Sequence, residues 1–174
     1  QPKALDVNSV IQDIARLFLD TGFSSGKVQI VPQTEDQPRS AICDRNALTQ
    51  ILMNLVKNSI EAMPDGGLVQ IVNNGHVRQD DKTFLKIAIT DTGPGLPQTI
   101  VDNLFRPVNS TKGESHRGLG LSIVHDLVGK SNGRIDCSSS SKGTSFEILL
   151  PVGDPGRFSK TASHIDSSPD ERSL

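Results

Sequence analysis

Apolar residues follow two periods along this chain, and the changes between them divide it into elements. Val10, Ile11, Ile14, Leu17 and Phe18 stand three and four apart, which predicts an amphipathic helix over Val7–Leu19 with Asn8 and Ser9 as caps. Thr21–Gly26 interrupts it, and the alternating, β-branched KVQIVP of Lys27–Pro32 reads as a strand. A polar loop, Gln33–Arg39, leads to a brief strand at Ser40–Cys43. From Asp44 the helical period returns. Leu48, Ile51, Leu52 and Leu55, with Met63 beyond, gather on one face; Pro64 and the Asp65-Gly66-Gly67 turn end the run. Leu68–Val77 and Thr83–Thr90 alternate on either side of a charged turn around Gln79–Lys82, the pattern of an antiparallel hairpin. Helical spacing resumes over Gly118–Val128 through Leu121, Val124 and Val128, flanked by Leu119 and Leu127. Arg134–Ser138 and Thr144–Leu150 then form a last hairpin around Gly143.

Three helices and five or six strands suit a single two-layer α+β domain, with the helices covering one face of the sheet. The chain has 174 residues, 34% of them hydrophobic, which is enough for one core and too little for two domains of ordinary size. After Pro151 the composition turns to Ser, Asp, Gly and Pro. The expected division is therefore a domain over 1–151 and a flexible tail or linker over 152–174.

A net charge of −2 and 3% aromatics, with neither Trp nor Tyr, argue against a nucleic-acid partner. No apolar run approaches the ~20 residues of a membrane span, and no signal-peptide pattern opens the chain. No membrane contact by this domain and a cytoplasmic location are expected, with a membrane-anchored parent left open. Cys43 and Cys137 lie far apart and form no metal-type pair, which suggests reduced structural thiols.

The candidate chemistry sits at the changes of period. Asn54, Asn58 and Glu61 share a helix face beside the apolar stripe. Asparagine competes with the helix backbone for hydrogen bonds, so two of them one turn apart suggest either a solvated face or a ligand site. An amide oxygen can complete the shell of a Mg²⁺ held by nucleotide phosphates without adding negative charge. Asp91 ends a strand just before Gly93 and Gly95, placed either to accept a hydrogen bond in a cleft or to cap a turn. From Gly93 to Gly118 the chain is rich in Gly, Pro, Ser and Asn, a stretch far longer than an ordinary connection. Gly118-Leu119-Gly120-Leu121 opens a helix whose free N–H groups can meet an anion.

Four boxes, NLVKNSIEAM, DTGPGLP, LFRPVNSTK and RGLGLSIV, occur in an order that resembles the ATP-binding catalytic domain of bacterial sensor histidine kinases, especially those of the nitrogen-regulation type. That group belongs with gyrase, the heat-shock chaperone ATPases and mismatch-repair ATPases, and the resemblance covers about Leu5 to Pro151. It implies a two-layer α/β sandwich of the Bergerat type, a mixed sheet of about five strands covered by three helices, and a long ATP lid over 93–117. It implies ATP and Mg²⁺ as cofactors, with Asn58 as the metal ligand and Asn54 and Lys112 as catalytic residues. Nucleotide contacts would also come from Glu61, from Asp91 and Thr144 on adenine, from Gly93, Gly95 and Leu96, and from Arg117 with Gly118, Leu119, Gly120 and Leu121.

The boxes depart from the family pattern in places. His116 and Arg117 replace the usual Gly and Thr, and Val108 and Asn109 replace two aromatics near the lid anchor Phe105. The ATP-hydrolysing branches carry a glutamate where this chain has Asn54; an amide is a poor general base, which favours transfer over hydrolysis. None of His76, His116, His125 or His164 has the context of an acceptor. The implied partners are thus a dimerisation and histidine-phosphotransfer domain outside this chain and a response regulator downstream, with the isolated domain a monomer. The alternatives are a purine-sensing regulatory module and a serine kinase of the anti-sigma type.

Overall fold

The run that opens at Asp44 folds as helix α2 (Arg45–Glu61). The Asp44 carboxylate accepts from the Ala47 N–H at 3.1 Å and caps it, as expected of an aspartate in that place. Leu48, Ile51, Leu52 and Leu55 are fully buried, and Met63, just past the helix end, is buried too. The computed structural model describes residues 3–20, 27–34, 36–104 and 117–153, and of 117–119 the backbone only.

Helix α1 (Val7–Asp20) lays Val7, Val10, Ile11, Ile14, Ala15 and Phe18 against the core. Two details differ from the sequence expectation. Asp6 is the cap: its carboxylate accepts from the Ser9 N–H at 3.3 Å, and the Ser9 hydroxyl donates back to the Asp6 carbonyl at 2.8 Å. Asn8 and Ser9 therefore lie inside the helix. Leu17 is 42% exposed, because it stands about 100° around the axis from Phe18 and falls off the edge of the stripe that Ala15 completes.

The main sheet has the order β2-β4-β5-β7-β6, built from β2 (Val28–Gln33), β4 (Gly67–Gln79), β5 (Lys82–Asp91), β6 (Arg134–Ser140) and β7 (Gly143–Pro151). β2 runs parallel to β4 and the remaining pairs are antiparallel, so the sheet is mixed, as the resemblance implies. The β4–β5 hairpin turns on Asp80 and Asp81, at φ of 49° and 59°, the two positive φ values that such a tight turn requires. Val69, Ile71, Ile87, Ile89, Phe146 and Ile148 share one core with α1, α2 and α4 (Arg117–Lys130), the last contributing Val124 and Val128. Across the sheet the alternate residues meet water and one another, as in the Lys86–Glu147 ion pair and the contact between the Thr90 and Ser145 hydroxyls at 3.0 Å.

Two elements had no counterpart in the sequence reading. β1 (Lys3–Asp6) pairs antiparallel with β3 (Ser40–Cys43) in a separate two-stranded sheet. A single helical turn, α3 (Gln98–Val101), lies within the stretch expected to be irregular. The described residues thus hold four helices and seven strands, against the three helices and five or six strands expected. None of those helices is long and apolar enough to cross a membrane.

Candidate functional site

Strand β5 ends on Asp91, whose side chain is 5% exposed and enters the floor of a cavity of about 130 Å³. Asn58, Ser59, Glu61 and Ala62 of the α2 end line it, together with Leu96, Leu121, Thr144 and Phe146. The period that turns Ile87 and Ile89 inward carries Asp91 inward as well, so a charge arrives where the strand pattern would place an aliphatic residue. Its carboxylate meets three donors, which leaves Oδ2 one lone pair open. Oδ1 accepts from the Gly93 N–H at 2.9 Å and the Thr144 N–H at 3.2 Å, and Oδ2 accepts from the Ser59 hydroxyl at 2.9 Å. The turn cap expected of Asp91 is present, and the same carboxylate faces the cavity.

Thr144 reaches this site from β7, one residue beyond the turn at Gly143. Gly143 has φ of 138°, and a Cβ there would fall 1.9 Å from the Asp91 carbonyl oxygen, so only glycine lets the two strand ends approach this closely. The Thr144 hydroxyl contacts the Ser139 hydroxyl at 3.0 Å, and Ser139 in turn accepts from the Leu96 N–H at 2.7 Å. Gly95, at φ of 77°, packs its Cα against the Ser140 carbonyl. Leu96 is thereby held over the cavity by strand β6. Burial, and then the negative charge of Asp91, pushes the Cys137 thiol up to about 11, so at neutral pH it stays protonated and inert.

Toward α4 the cavity carries one amide, with a second behind it. Asn58 lines it, and a Cβ on Gly120 would come within 3.8 Å of both polar atoms of the Asn58 amide, which brings the opening turn of α4 beside α2. Asn54 lies one turn back and does not line the cavity. Its amide nitrogen is buried and has no hydrogen-bond partner among the described residues; a buried donor left so costs about 1–3 kcal/mol and calls for a function or a missing partner. Glu61 lines the cavity but is half-exposed and turned to Lys57 at 3.8 Å.

Of the residues that the boxes single out, the structure thus brings Asn58, Glu61, Asp91, Leu96, Leu121 and Thr144 into one cavity wall, with Gly93, Gly95 and Gly120 shaping its edges. Asn54 is set apart from the wall. Arg117, Gly118 and Leu119 open α4 as backbone, with their side chains outside the described residues. Lys112, Phe105, Val108, Asn109 and His116 lie outside them altogether, as does 105–116 of the expected lid. Leu104 is described, and it packs against the core. Sequence reasoning missed Ser59, Ser139 and Phe146. Phe146 was legible from the inward alternation of β7, whereas a serine acquires meaning only from what it touches. A larger cavity of about 740 Å³ lies near Phe84 and Arg134, where the Arg134 guanidinium pairs with Asp80 at 2.9 Å and covers the Phe84 ring; it gathers none of the boxed residues.

A family described as the histidine kinase-, DNA gyrase B- and HSP90-like ATPases matches residues 43–154. The chain belongs to this family. Among curated relatives it is 30% identical over 175 residues to the sensory histidine kinase/phosphatase NtrB of Rhizobium leguminosarum bv. phaseoli, covering 94% of this chain and 43% of that protein. It is 31% identical over 151 residues to the sensor histidine kinase ZraS of Escherichia coli K12, covering 86% and 31%. The chain therefore spans less than half the length of these relatives. The catalytic domain of histidine kinase ThkA, in a nucleotide-free form, superposes with a TM-score of 0.70 at 26% identity, over 87% of this chain and 97% of that one. Full-length ShkA in complex with AMPPNP shares the fold, with a TM-score of 0.69 at 21% identity over 89% and 32%. The mixed sheet under its helices is thus the ATP-binding catalytic fold of sensor histidine kinases, and the domain is of a nucleotide-binding type.

Proposed function

We propose that this domain transfers the γ-phosphoryl group of ATP to a histidine on a dimerisation domain outside this chain, as the first step of two-component signalling through a response regulator. The observation that carries the reading is Asp91, a buried carboxylate held by three donors at the floor of a cavity that the Asn58 amide also lines. Such a carboxylate accepts from the exocyclic amine of adenine, with Thr144 beside it and Leu96 over the ring. The triphosphate then runs toward α2 and α4, where the N–H groups of the first turn of α4 and the positive end of the helix dipole favour phosphate oxygens.

Asn58 fits Mg²⁺. Its amide oxygen is hard and neutral, and no group of three His, Cys, Asp or Glu side chains that would form a protein-only metal cage occurs among the described residues. When bound, the ion would neutralise charge developing on the phosphates. The orphaned Asn54 amide can donate to a phosphate oxygen or to the incoming imidazole. Phosphoryl transfer asks mainly for positioning and charge stabilisation, which the Asn54 and Asn58 amides can supply without a general base. The imidazole nitrogen forms the new bond to phosphorus as the bond to the bridging oxygen of ADP breaks, and the imidazole proton passes to solvent. Lys112 and the Arg117 guanidinium would add charge at the γ-phosphate from a lid over 93–117. The catalytic unit would extend over 1–151 with 152–174 as a tail, and act as a monomer until joined to its dimerisation helices.

The test is to mix the domain with a dimerisation helix pair carrying an acceptor histidine and with labelled ATP. Label should appear on the supplied helices and not on this chain. Rapid hydrolysis by the chain alone, with no labelled protein, would overturn the reading in favour of an ATPase.

A further inference from the structure

Ser139 belongs to none of the boxes, yet its hydroxyl makes three contacts at the purine end of the cavity. It accepts from the Leu96 N–H at 2.7 Å, donates to the Gly143 carbonyl at 3.3 Å, and lies 3.0 Å from the Thr144 hydroxyl. A serine hydroxyl has one proton and two lone pairs. The Leu96 N–H can only donate and the Gly143 carbonyl can only accept, so one lone pair of Ser139 goes to Leu96, while its one proton can serve Gly143 or Thr144. The arrangement that satisfies all three contacts at once sends that proton to Gly143. In it the Thr144 hydroxyl donates to Ser139 and turns only acceptor character to the cavity.

The same count applies to the neighbours. Ser59 directs its proton to Asp91, whose carboxylate holds none. Asp91, Ser59 and Thr144 all line the cavity, and each side-chain oxygen there has its proton turned away or none to give. A wall of this kind matches a ligand edge that donates, such as a 6-amino group, and opposes one that accepts, such as a 6-oxo group, because a buried acceptor facing an acceptor leaves both unsatisfied.

We propose that Ser139, which need not touch the nucleotide, is a specificity-determining positioning residue: by taking the Thr144 proton it makes the purine wall acceptor-only and so discriminates 6-amino from 6-oxo purine nucleotides. The proposal rests on the reading that this cavity holds the purine. In Ser139→Ala the Thr144 proton is released and can turn to the ligand, while the Leu96 N–H loses its partner. Loss of the Leu96 hold weakens every nucleotide alike, but release of the proton favours only the 6-oxo ligand. The ratio of affinities separates the two.

The experiment measures Kd for ADP and for inosine diphosphate by calorimetry on the wild-type chain and three variants. In Ser139→Ala the preference for ADP over inosine diphosphate should fall about tenfold, the scale of one hydrogen bond, whatever happens to the two affinities singly. Ser139→Thr, which keeps the hydroxyl, should retain the wild-type ratio. Thr144→Val should lower the ratio on its own, and Ser139→Ala added to it should change the ratio no further. A ratio unmoved in Ser139→Ala, or moved by the same factor in the Thr144→Val background, overturns the proposal. Should Ser139→Ala not fold, Thr144→Val decides, since an equal loss for both nucleotides would show that Thr144 does not read the purine. Wild-type protein that binds neither nucleotide would overturn the purine-site reading itself, a result distinct from normal binding with an unmoved ratio.

Discussion

The two ends of the cavity are built in opposite ways. At the Asp91 end the polar side chains are fixed by partners within the protein: three donors meet one carboxylate, and Ser139 joins Thr144 to Leu96. Toward α4 the wall carries the Asn58 amide, and one turn behind it, off the wall, a buried Asn54 nitrogen has no partner among the described residues. The first end is preorganised by the fold and the second is not. A base is a rigid, neutral shape that a fixed wall can recognise, whereas phosphates bring charge of their own that can satisfy groups the protein leaves open.

Substitutions can break that contrast. The largest effect is expected from Asn58→Ala, which should lower phosphotransfer on the order of a hundredfold or more by removing the protein's hold on the metal, with little change in melting temperature. Magnesium dependence of binding and transfer that is unchanged in this variant would sink the assignment. Asp91→Asn should act on both function and folding. It puts an amide N–H against the Ser59 hydroxyl or the Gly93 and Thr144 N–H groups, and should cost about 1–3 kcal/mol of stability, measured by urea denaturation. It should also weaken ATP and ADP equally, because adenine is common to both; a loss confined to ATP would place Asp91 at the phosphates instead.

Asn54→Ala provides the converse. Deleting an unsatisfied buried amide should leave stability unchanged or raise it by up to about 1 kcal/mol, while transfer to a supplied helix falls. A clear drop in melting temperature would mean that Asn54 has a structural partner. The smallest effect concerns Cys137, whose thiol is raised to about 11 by burial first and by the Asp91 charge second. Iodoacetamide should label it slowly at neutral pH, with a rate that climbs as pH rises toward that value. In Asp91→Asn the climb should start at lower pH, because one of the two causes is gone; identical profiles would show that burial alone sets the titration.

Much of the frame was legible because it is periodic. α2, the β4–β5 hairpin and the β6–β7 hairpin each carry their own spacing, and Asp44, Asp91 and Thr144 sit at ends where the period stops. β1 was not legible: four residues offer too little alternation, and their partner strand lies across α1 and β2. α3 is one turn inside a stretch dominated by Gly and Pro. The cap of α1 was misplaced because Asp6, Asn8 and Ser9 are all capable of capping, and only the chain path chooses among them. In the site, Asn58 and Asp91 were legible as members of boxes. Ser59 and Ser139 were not, since a hydroxyl's role is set by neighbours 32 and 43 residues away.

Those separations also bear on how the chain folds. The Asp91 carboxylate meets the Thr144 N–H across 53 residues of sequence, and the two come together only when β7 adds to the edge of β5. Contacts of such long range form late, because loop closure must precede them. A partly folded chain, with α2 and the β4–β5 hairpin in place but β7 undocked, would possess the asparagines and lack the Asp91–Thr144 contact. Nucleotide affinity should therefore arise in a refolding experiment together with the pairing of β5 and β7, and not with the earlier hairpin.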